Sequence, residues 1–181
     1  MKKFLILLSL LLVFPFAYAD DDDSNSEDGV IKMKMKLTGV LRHVDDLGRT
    51  IFDVDLQGTP GKATARGVAI SGPPVLFSEL PADNECMDLG DDPSGMHLVE
   101  AQIVMTFRDG SMVWGTSAPD GYVCFSGFAY APYEITGGSG RYEGVTGLID
   151  VGLYTYAILP PPLPNLVLPE TGIVRGEIYL P

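Results

Sequence analysis

The feature that most constrains this sequence is an alternation of apolar and polar residues with a period of two. In residues 31–37, four apolar residues alternate with three lysines, and residues 50–56 alternate in the same way. Successive side chains of a β-strand point to opposite faces, so this period indicates strands with one buried face. Asp53 and Asp55 fall on the polar face of the second segment, and we expect both carboxylates to face water rather than to act as a catalytic pair.

Strand patterns continue along the chain, and no window shows a helical period over three turns. In residues 97–107 the alternation places His97 and Val99 on the apolar face, and Asp109-Gly110 then supplies a two-residue hairpin turn. The remaining predicted strands are residues 63–70, 111–117, 122–130, 147–158 and 172–180. The pattern therefore predicts an all-β chain of about eight strands.

The N-terminus has the pattern of a secretory signal peptide, which we assign to residues 1–19. Lys2 and Lys3 precede an apolar run, and a small-x-small cleavage site follows it. The apolar run is shorter than the roughly 20 residues that a membrane span needs. We therefore expect a cleaved signal peptide, and an uncleaved membrane anchor is the alternative. Residues 20–29 are acidic and predict a disordered linker, with weak calcium capture as the alternative. The folded domain is then residues 30–181, exported to the periplasm or the medium.

The net charge argues against two classes of partner. Removing residues 1–19 takes away two lysines and no acid, so the net charge changes from −12 to −14. Nucleic acids and anionic membrane surfaces attract proteins through clustered Lys and Arg, which this balance does not favour. We therefore expect no nucleic acid as a partner and, after signal cleavage, no membrane.

The chain contains two cysteines, Cys86 and Cys124. In an exported protein such a pair more often forms a disulfide than stays reduced, so we predict a Cys86–Cys124 bridge. A pair of thiols kept for catalysis is the alternative. Neither cysteine belongs to a C-x-x-C motif or has a histidine at metal-ligand spacing.

The sequence carries no clear signal for catalysis, metals or cofactors. No G-x-S-x-G motif occurs, and the two histidines, His43 and His97, are far apart in the sequence. His43 lies near a turn-like Asp-Asp-Leu-Gly segment and is expected in solvent, whereas His97 is expected in the core or at its rim. The sequence thus assigns no catalytic residue, no metal site and no cofactor.

Two long connections separate the predicted strands. Residues 71–96 are predicted to cover one end of the fold, held there by the disulfide. Residues 159–171 are rich in proline and predict a crossover loop, with a proline-recognition ligand as the alternative. Residues 168–172 spell the LPETG sorting signal, but no apolar span and basic tail follow, so we reject cell-wall sorting.

Residues 135–147 read ITGGSGRYEGVTG. A dinucleotide-binding fingerprint needs the spacing G-x-G-x-x-G between a strand and a helix, and here the spacing is one residue too long and a strand follows. Glycines between strands supply positive φ angles and close backbone contacts. We therefore interpret the motif as a structural turn that folds Arg141 and Tyr142 over one end of the fold, with ligand binding as the alternative. Its glycines are Gly137, Gly138, Gly140, Gly144 and Gly147.

The same motif resembles the ITGGTGRFxGATG segment of the allene oxide cyclase and dirigent-like barrels, a calycin-like family with bacterial exported members of unassigned function. Residues 97–158 carry the resemblance, including the FRDGS hairpin at 107–111. It implies a single antiparallel eight-stranded β-barrel with an apolar interior, often trimeric in the plant members. Allene oxide cyclases isomerise a bound fatty-acid epoxide, and dirigent proteins steer the coupling of phenolic radicals. The motif marks the fold and transfers no working residue to this chain.

Three functions remain open from the sequence. The first is an exported barrel that binds a small apolar molecule without chemistry, since an eight-stranded barrel can hold one small ligand. The second is an isomerase or cyclase that shapes a bound substrate. The third is a packed barrel that acts as a structural or interaction module. The residues proposed for a ligand site are Trp114, Asp150, Tyr154 and Tyr156, with an exterior aromatic patch used for assembly as the alternative.

Overall fold

We describe the fold from a computed structural model, in which residues 29–45, 48–155 and 167–181 are the described residues. The predicted signal peptide, the acidic linker up to residue 28, and Tyr156 lie outside them. Among the described residues, no helix is long and apolar enough to cross a membrane.

Nearly all regular structure in the described residues is β-strand, as the period-two pattern predicts. Two single turns of 3-10 helix interrupt it, at Phe77–Glu79 and Gly140–Tyr142. The strands are β1 (Val30–His43), β2 (Arg49–Thr59), β3 (Gly61–Val75), β4 (Gly95–Phe107), β5 (Met112–Ser117), β6 (Tyr122–Cys124), β7 (Phe128–Ser139), β8 (Thr146–Thr155) and β9 (Val167–Tyr179).

Antiparallel pairing joins these strands into a closed barrel. The ring runs β3–β2–β1–β9–β8–β7–β5–β4, and pairing of β4 with β3 closes it. The short strand β6 pairs with both β4 and β7. The predicted fold class, an all-β antiparallel barrel of eight strands, is therefore confirmed.

The single strand predicted over residues 122–130 is two strands. Residues 125–127 leave the ladder in a turn, in which the Gly127 N–H donates to the Cys124 carbonyl at 3.0 Å. β5 pairs with residues 102–106 of β4, whereas β6 pairs with residues 95–97. β6 thus takes the place of β5 in the ring at one end of the barrel.

The two ends of the barrel differ in their connections. We call the end at which β1 finishes, at His43, the mouth, and the opposite end the closed end. Short turns join β2 to β3, β4 to β5 and β7 to β8 at the closed end. The longer connections lie at the mouth, including residues 76–94 between β3 and β4. The longest connection within the described residues therefore lies beside the mouth.

Alternation determines which side chains fill the barrel. Met33, Met35 and Leu37 of β1 are at most 4% exposed, whereas the lysines between them are exposed. Equivalent inward positions of the other strands complete one apolar cluster, to which Phe107 and Tyr142 add their rings at the closed end. Asp53 and Asp55 face outward as expected.

The start of β4 departs from the predicted alternation. Val99 is 64% exposed, although the sequence pattern placed it on the apolar face. The pairing of β3 with β4 shifts register on both sides of Ser71, and such a bulge reverses the face on which the following side chains lie. Met96 and Leu98 point to the barrel interior instead.

Backbone geometry explains why residues 135–147 contain several glycines. Residues 135–139 extend β7, and the 3-10 turn follows directly. A Cβ at Gly138 would lie 2.4 Å from the carbonyl oxygen of Tyr142, and Gly140 has a φ of +65°. The Tyr142 ring lies 4.6 Å from the ring of Phe107. The turn thus places an aromatic side chain into the closed end.

Arg141 covers this aromatic pair from outside. Its guanidinium lies 5.3 Å from the centre of the Phe107 ring and 4.8 Å from that of Tyr142. Its Nε lies 3.3 Å from Oδ2 of Asp109, on the hairpin between β4 and β5. This ion pair therefore joins the β4–β5 turn to the β7–β8 turn above the two aromatic rings.

Cys86 and Cys124 form the predicted disulfide. The bridge joins the connection 76–94 to the end of β6, next to the mouth. The backbone N–H of Glu85 also donates to the hydroxyl of Tyr122 at 3.0 Å. The connection is therefore held against the barrel, and a disulfide is compatible with export.

Candidate functional site

The barrel interior is solid at the closed end and hollow toward the mouth. The cavity has a volume of about 70 Å³, and its deepest side chains include Leu37, Leu56 and Ile103. One water molecule needs roughly 10–15 Å³ of such volume, so the cavity holds several waters or a small organic group. Sites for drug-sized ligands usually measure roughly 300–1,000 Å³. A larger ligand would therefore project through the mouth.

Glu170 of β9 supplies a buried carboxyl to this cavity. Alternation along β9 points its side chain inward with Leu168 and Val174, and it is 2% exposed. Neither carboxyl oxygen has a hydrogen-bond partner among the described residues. Burial raises the pKa of Glu170 to about 7, because the apolar walls solvate a carboxylate poorly. Glu170 therefore gains or loses a proton near neutral pH.

The neighbouring strands leave this carboxyl without a partner. On one side Glu170 faces Gly39 of β1, which has no side chain. On the other side it faces Thr155 of β8, whose hydroxyl donates to the Pro169 carbonyl at 3.1 Å. Tyr133 of β7 is 3% exposed, and burial, with a further contribution from the charge of Glu170, raises its pKa. Tyr133 thus contributes a neutral hydroxyl to the same cavity.

His43 is the second unpartnered polar side chain of the lining. It is 3% exposed, so the expectation that it faces solvent was wrong. The alternation of β1 continues to its last residue and turns His43 inward, as it does Leu41. Burial lowers the pKa of His43, and neither ring nitrogen has a partner among the described residues. The imidazole is therefore held neutral near the mouth.

Glu170 and His43 occupy different depths. Glu170 faces Gly39, and His43 lies four residues further along β1 toward the mouth. At about 3.3 Å per residue this separates the two levels by about 13 Å along the strand. Along β1, His43 is therefore nearer the mouth than Glu170, with apolar side chains such as Leu41 between the two levels.

Acidic groups dominate the electrostatics of the cavity. The described residues of its lining include no Lys and no Arg. Burial raises the pKa of Tyr122, and the charges of Glu85 and Asp83 on the connection 76–94 raise it further. Burial also raises the pKa of Tyr130, whose hydroxyl donates to Asp150 at 2.7 Å. Negative charge outside the barrel thus acts on groups that line the cavity.

The described residues that the sequence proposed for a ligand site lie outside the cavity lining. Trp114 is 37% exposed and Tyr154 is 56% exposed, with the Tyr154 ring 4.9 Å from that of Phe128. Asp150 is half-buried and accepts the tyrosine hydrogen bond described above. Tyr156 lies outside the described residues. Ligand binding or assembly through these side chains stays a prediction.

Sequence reasoning missed Glu170 because it placed residues 159–171 in a loop. β9 begins at Val167, so the LPETG segment is part of a strand. The sequence did contain a signal for this carboxyl. Leu168, Glu170 and Val174 are separated by even numbers of residues, so they lie on the same face of a strand. Extending the alternation backward from the predicted strand 172–180 would have placed a carboxyl among apolar side chains.

Comparisons with known proteins find similarity among solved structures alone. No family model matches the sequence, and no curated protein matches it. Among solved structures, the chain is similar to the pterocarpan synthase dirigent protein GePTS1, with 14% identity and a TM-score of 0.41. The similarity covers 86% of this chain and 89% of that one. The strand pairing of the chain itself establishes its barrel.

Proposed function

We propose that this protein is an exported small barrel that binds a small apolar molecule in its mouth cavity without transforming it. The observation that carries the proposal is the hollow, mostly apolar interior, which contains a carboxyl with no partner among the described residues. Burying an unpartnered polar group costs free energy. A bound molecule that offers a hydrogen bond to Glu170 would remove this cost and cover apolar surface at the same time.

Native mass spectrometry of the protein, purified without detergent from an oxidising compartment, tests this proposal. We expect a mass excess that is lost on denaturation and released as a small, mostly apolar compound. The same preparation from a Glu170→Leu variant, in which the polar anchor is removed, should carry less of it. A bare mass under all conditions would favour the packed-barrel module and contradict ligand binding.

A second candidate is an isomerase or cyclase that shapes its substrate. Glu170 favours it, because a carboxyl with a pKa of about 7 can donate or accept a proton at physiological pH. Tyr133 would then orient the substrate as a neutral hydroxyl. Recovery of a released compound in two isomeric forms, with one form missing in Glu170→Gln, would support this candidate over simple binding.

A further inference from the structure

Building on the proposed binding function, we propose that the ligand is a small aliphatic amine. Its ammonium group pairs with the Glu170 carboxylate, and its alkyl chain lies against the apolar walls of the cavity. The three observations that point to this class are the unpartnered carboxyl, the charges around the cavity and the size of the cavity.

The position of Glu170 suits a single cationic group. The carboxyl is 2% exposed, and both of its oxygens are unpartnered among the described residues. Gly39 faces it across the ladder, so β1 contributes no side chain at that level. Thr155, on the other side, uses its hydroxyl on a backbone carbonyl. An ammonium group has three donors and no acceptor, which matches a carboxylate whose oxygens only accept.

The charges favour a cation over an anion. The described lining contains Glu170 and no Lys or Arg to receive a carboxylate or phosphate. Asp83 and Glu85 add negative charge next to the mouth, and it reaches Tyr122 in the lining. Arg49, at the mouth end of β2, is paired with Asp45. A net negative protein with an acidic entrance raises the local concentration of small cations and repels anions.

The titratable groups facing the site fix the pH at which an amine can bind. Glu170 from β9 is accompanied in the described lining by His43 from β1, Tyr122 from β6, and Tyr130 and Tyr133 from β7. Burial keeps the three tyrosines protonated and His43 neutral near pH 8. Glu170 is the group that becomes charged between pH 5 and pH 8, since its pKa is about 7. Amine binding should therefore strengthen over this interval.

The volume of the cavity limits the length of the alkyl chain that the amine can carry. A cavity of about 70 Å³ accommodates a short chain and not a large ring system. n-Butylamine is a suitable probe, and 1-butanol is its matched neutral control, since the two share an alkyl chain. Amide chemical-shift titration of the intact, disulfide-bonded chain at pH 8 measures both affinities and locates the binding site.

We expect n-butylamine to bind at least tenfold more tightly than 1-butanol at pH 8, and to weaken roughly 10- to 100-fold at pH 5, where Glu170 is protonated. Glu170→Gln should lose at least tenfold for the amine and leave the alcohol within twofold. Asp55→Asn, which removes an exposed carboxylate of the outer face, is the matched charge control and should leave both affinities unchanged.

The outcomes separate this inference from the function on which it rests. Equal affinities for amine and alcohol, or an amine affinity unaffected by Glu170→Gln, would overturn the amine class and leave cavity binding in place. Binding of neither probe, together with a bare native mass, would overturn cavity binding itself. Circular dichroism of Glu170→Gln confirms that the variant is folded, which we expect because the change is isosteric.

Discussion

Glu170 of β9 lies opposite Gly39 of β1, so the most deeply buried carboxyl of the described barrel faces a position without a side chain. A larger residue at position 39 is excluded, because its Cβ would lie 2.4 Å from the carbonyl oxygen of Asp53. The close approach of β1 and β2 therefore requires glycine at this position, and the same glycine leaves space beside the carboxyl. Packing of the barrel wall and the chemistry of the cavity are linked through this one pair.

The first prediction concerns the pH dependence of stability. The pKa of Glu170 rises from 4.5 to about 7 on folding, so the folded state holds its proton more tightly than the unfolded state. This stabilising contribution is fully present below pH 4.5 and is lost as the pH rises through 7. At about 1.4 kcal/mol per pKa unit, the loss amounts to roughly 3 kcal/mol. Glu170→Gln should abolish it.

Urea unfolding of wild type and Glu170→Gln at pH 4.5 and pH 8 measures this difference. We expect the variant to gain stability relative to wild type at the higher pH, because glutamine cannot ionise. The Asp55→Asn control should show no comparable change. Parallel pH profiles for wild type and Glu170→Gln would show that Glu170 is ionised in the folded state without cost, and the prediction would be wrong.

The second prediction concerns His43, whose effect on stability has the opposite pH dependence to that of Glu170. Burial lowers the pKa of His43 below 6.5, so the unfolded state binds its proton more tightly than the folded state. The stability associated with neutral His43 is present above pH 6.5 and is lost as the pH falls below that value. His43→Gln, which cannot be protonated, should therefore become more stable relative to wild type when the pH is lowered from 7 to 5. Thermal unfolding of both proteins at the two pH values provides the measurement, and an equal change of stability in both would contradict the prediction.

The fold was predictable from sequence because the determining signal is local. The alternation in residues 31–37 and 50–56 fixes which face is buried, and the observed β1 and β2 follow it. The register shift beside Ser71 could not be read in this way, since it depends on how β3 and β4 pair. His43 was misassigned for a related reason, because turn-like residues after it concealed that the strand alternation continues to its end.

The polar groups of the cavity were harder to predict than the barrel. Tyr133 and Glu170 are separated by 37 positions in the sequence and meet only when β7, β8 and β9 pair. No short motif can encode such an arrangement. The disulfide could be predicted from the sequence because a chain with two cysteines allows a single intramolecular pairing.

The third prediction concerns the disulfide. Cys86 and Cys124 close a long loop of chain, and such a bridge typically stabilises a protein by roughly 2–4 kcal/mol. Replacing both by alanine should lower stability by this amount and loosen the connection 76–94. Amide hydrogen exchange should show faster exchange at Glu85, whose N–H donates to Tyr122, than at residues of β1. Unchanged stability, or native cysteines that react with iodoacetamide, would be incompatible with a structural bridge.

The last prediction concerns the glycine-rich segment at the closed end. A Cβ at Gly138 would lie 2.4 Å from the carbonyl oxygen of Tyr142 and 2.7 Å from that of Met112, so the backbone must move to accept any side chain. Gly138→Ala should therefore cost more than about 2 kcal/mol of stability, in the range typical of overpacked sites. Gly152→Ala is the matched control, because its Cβ would be 3.7 Å from the nearest atom of Phe128. Chemical denaturation of both variants measures the contrast. A Gly138→Ala variant that unfolds like wild type would contradict the structural role of this segment. Ligand binding, the alternative role given to these glycines, would then be favoured.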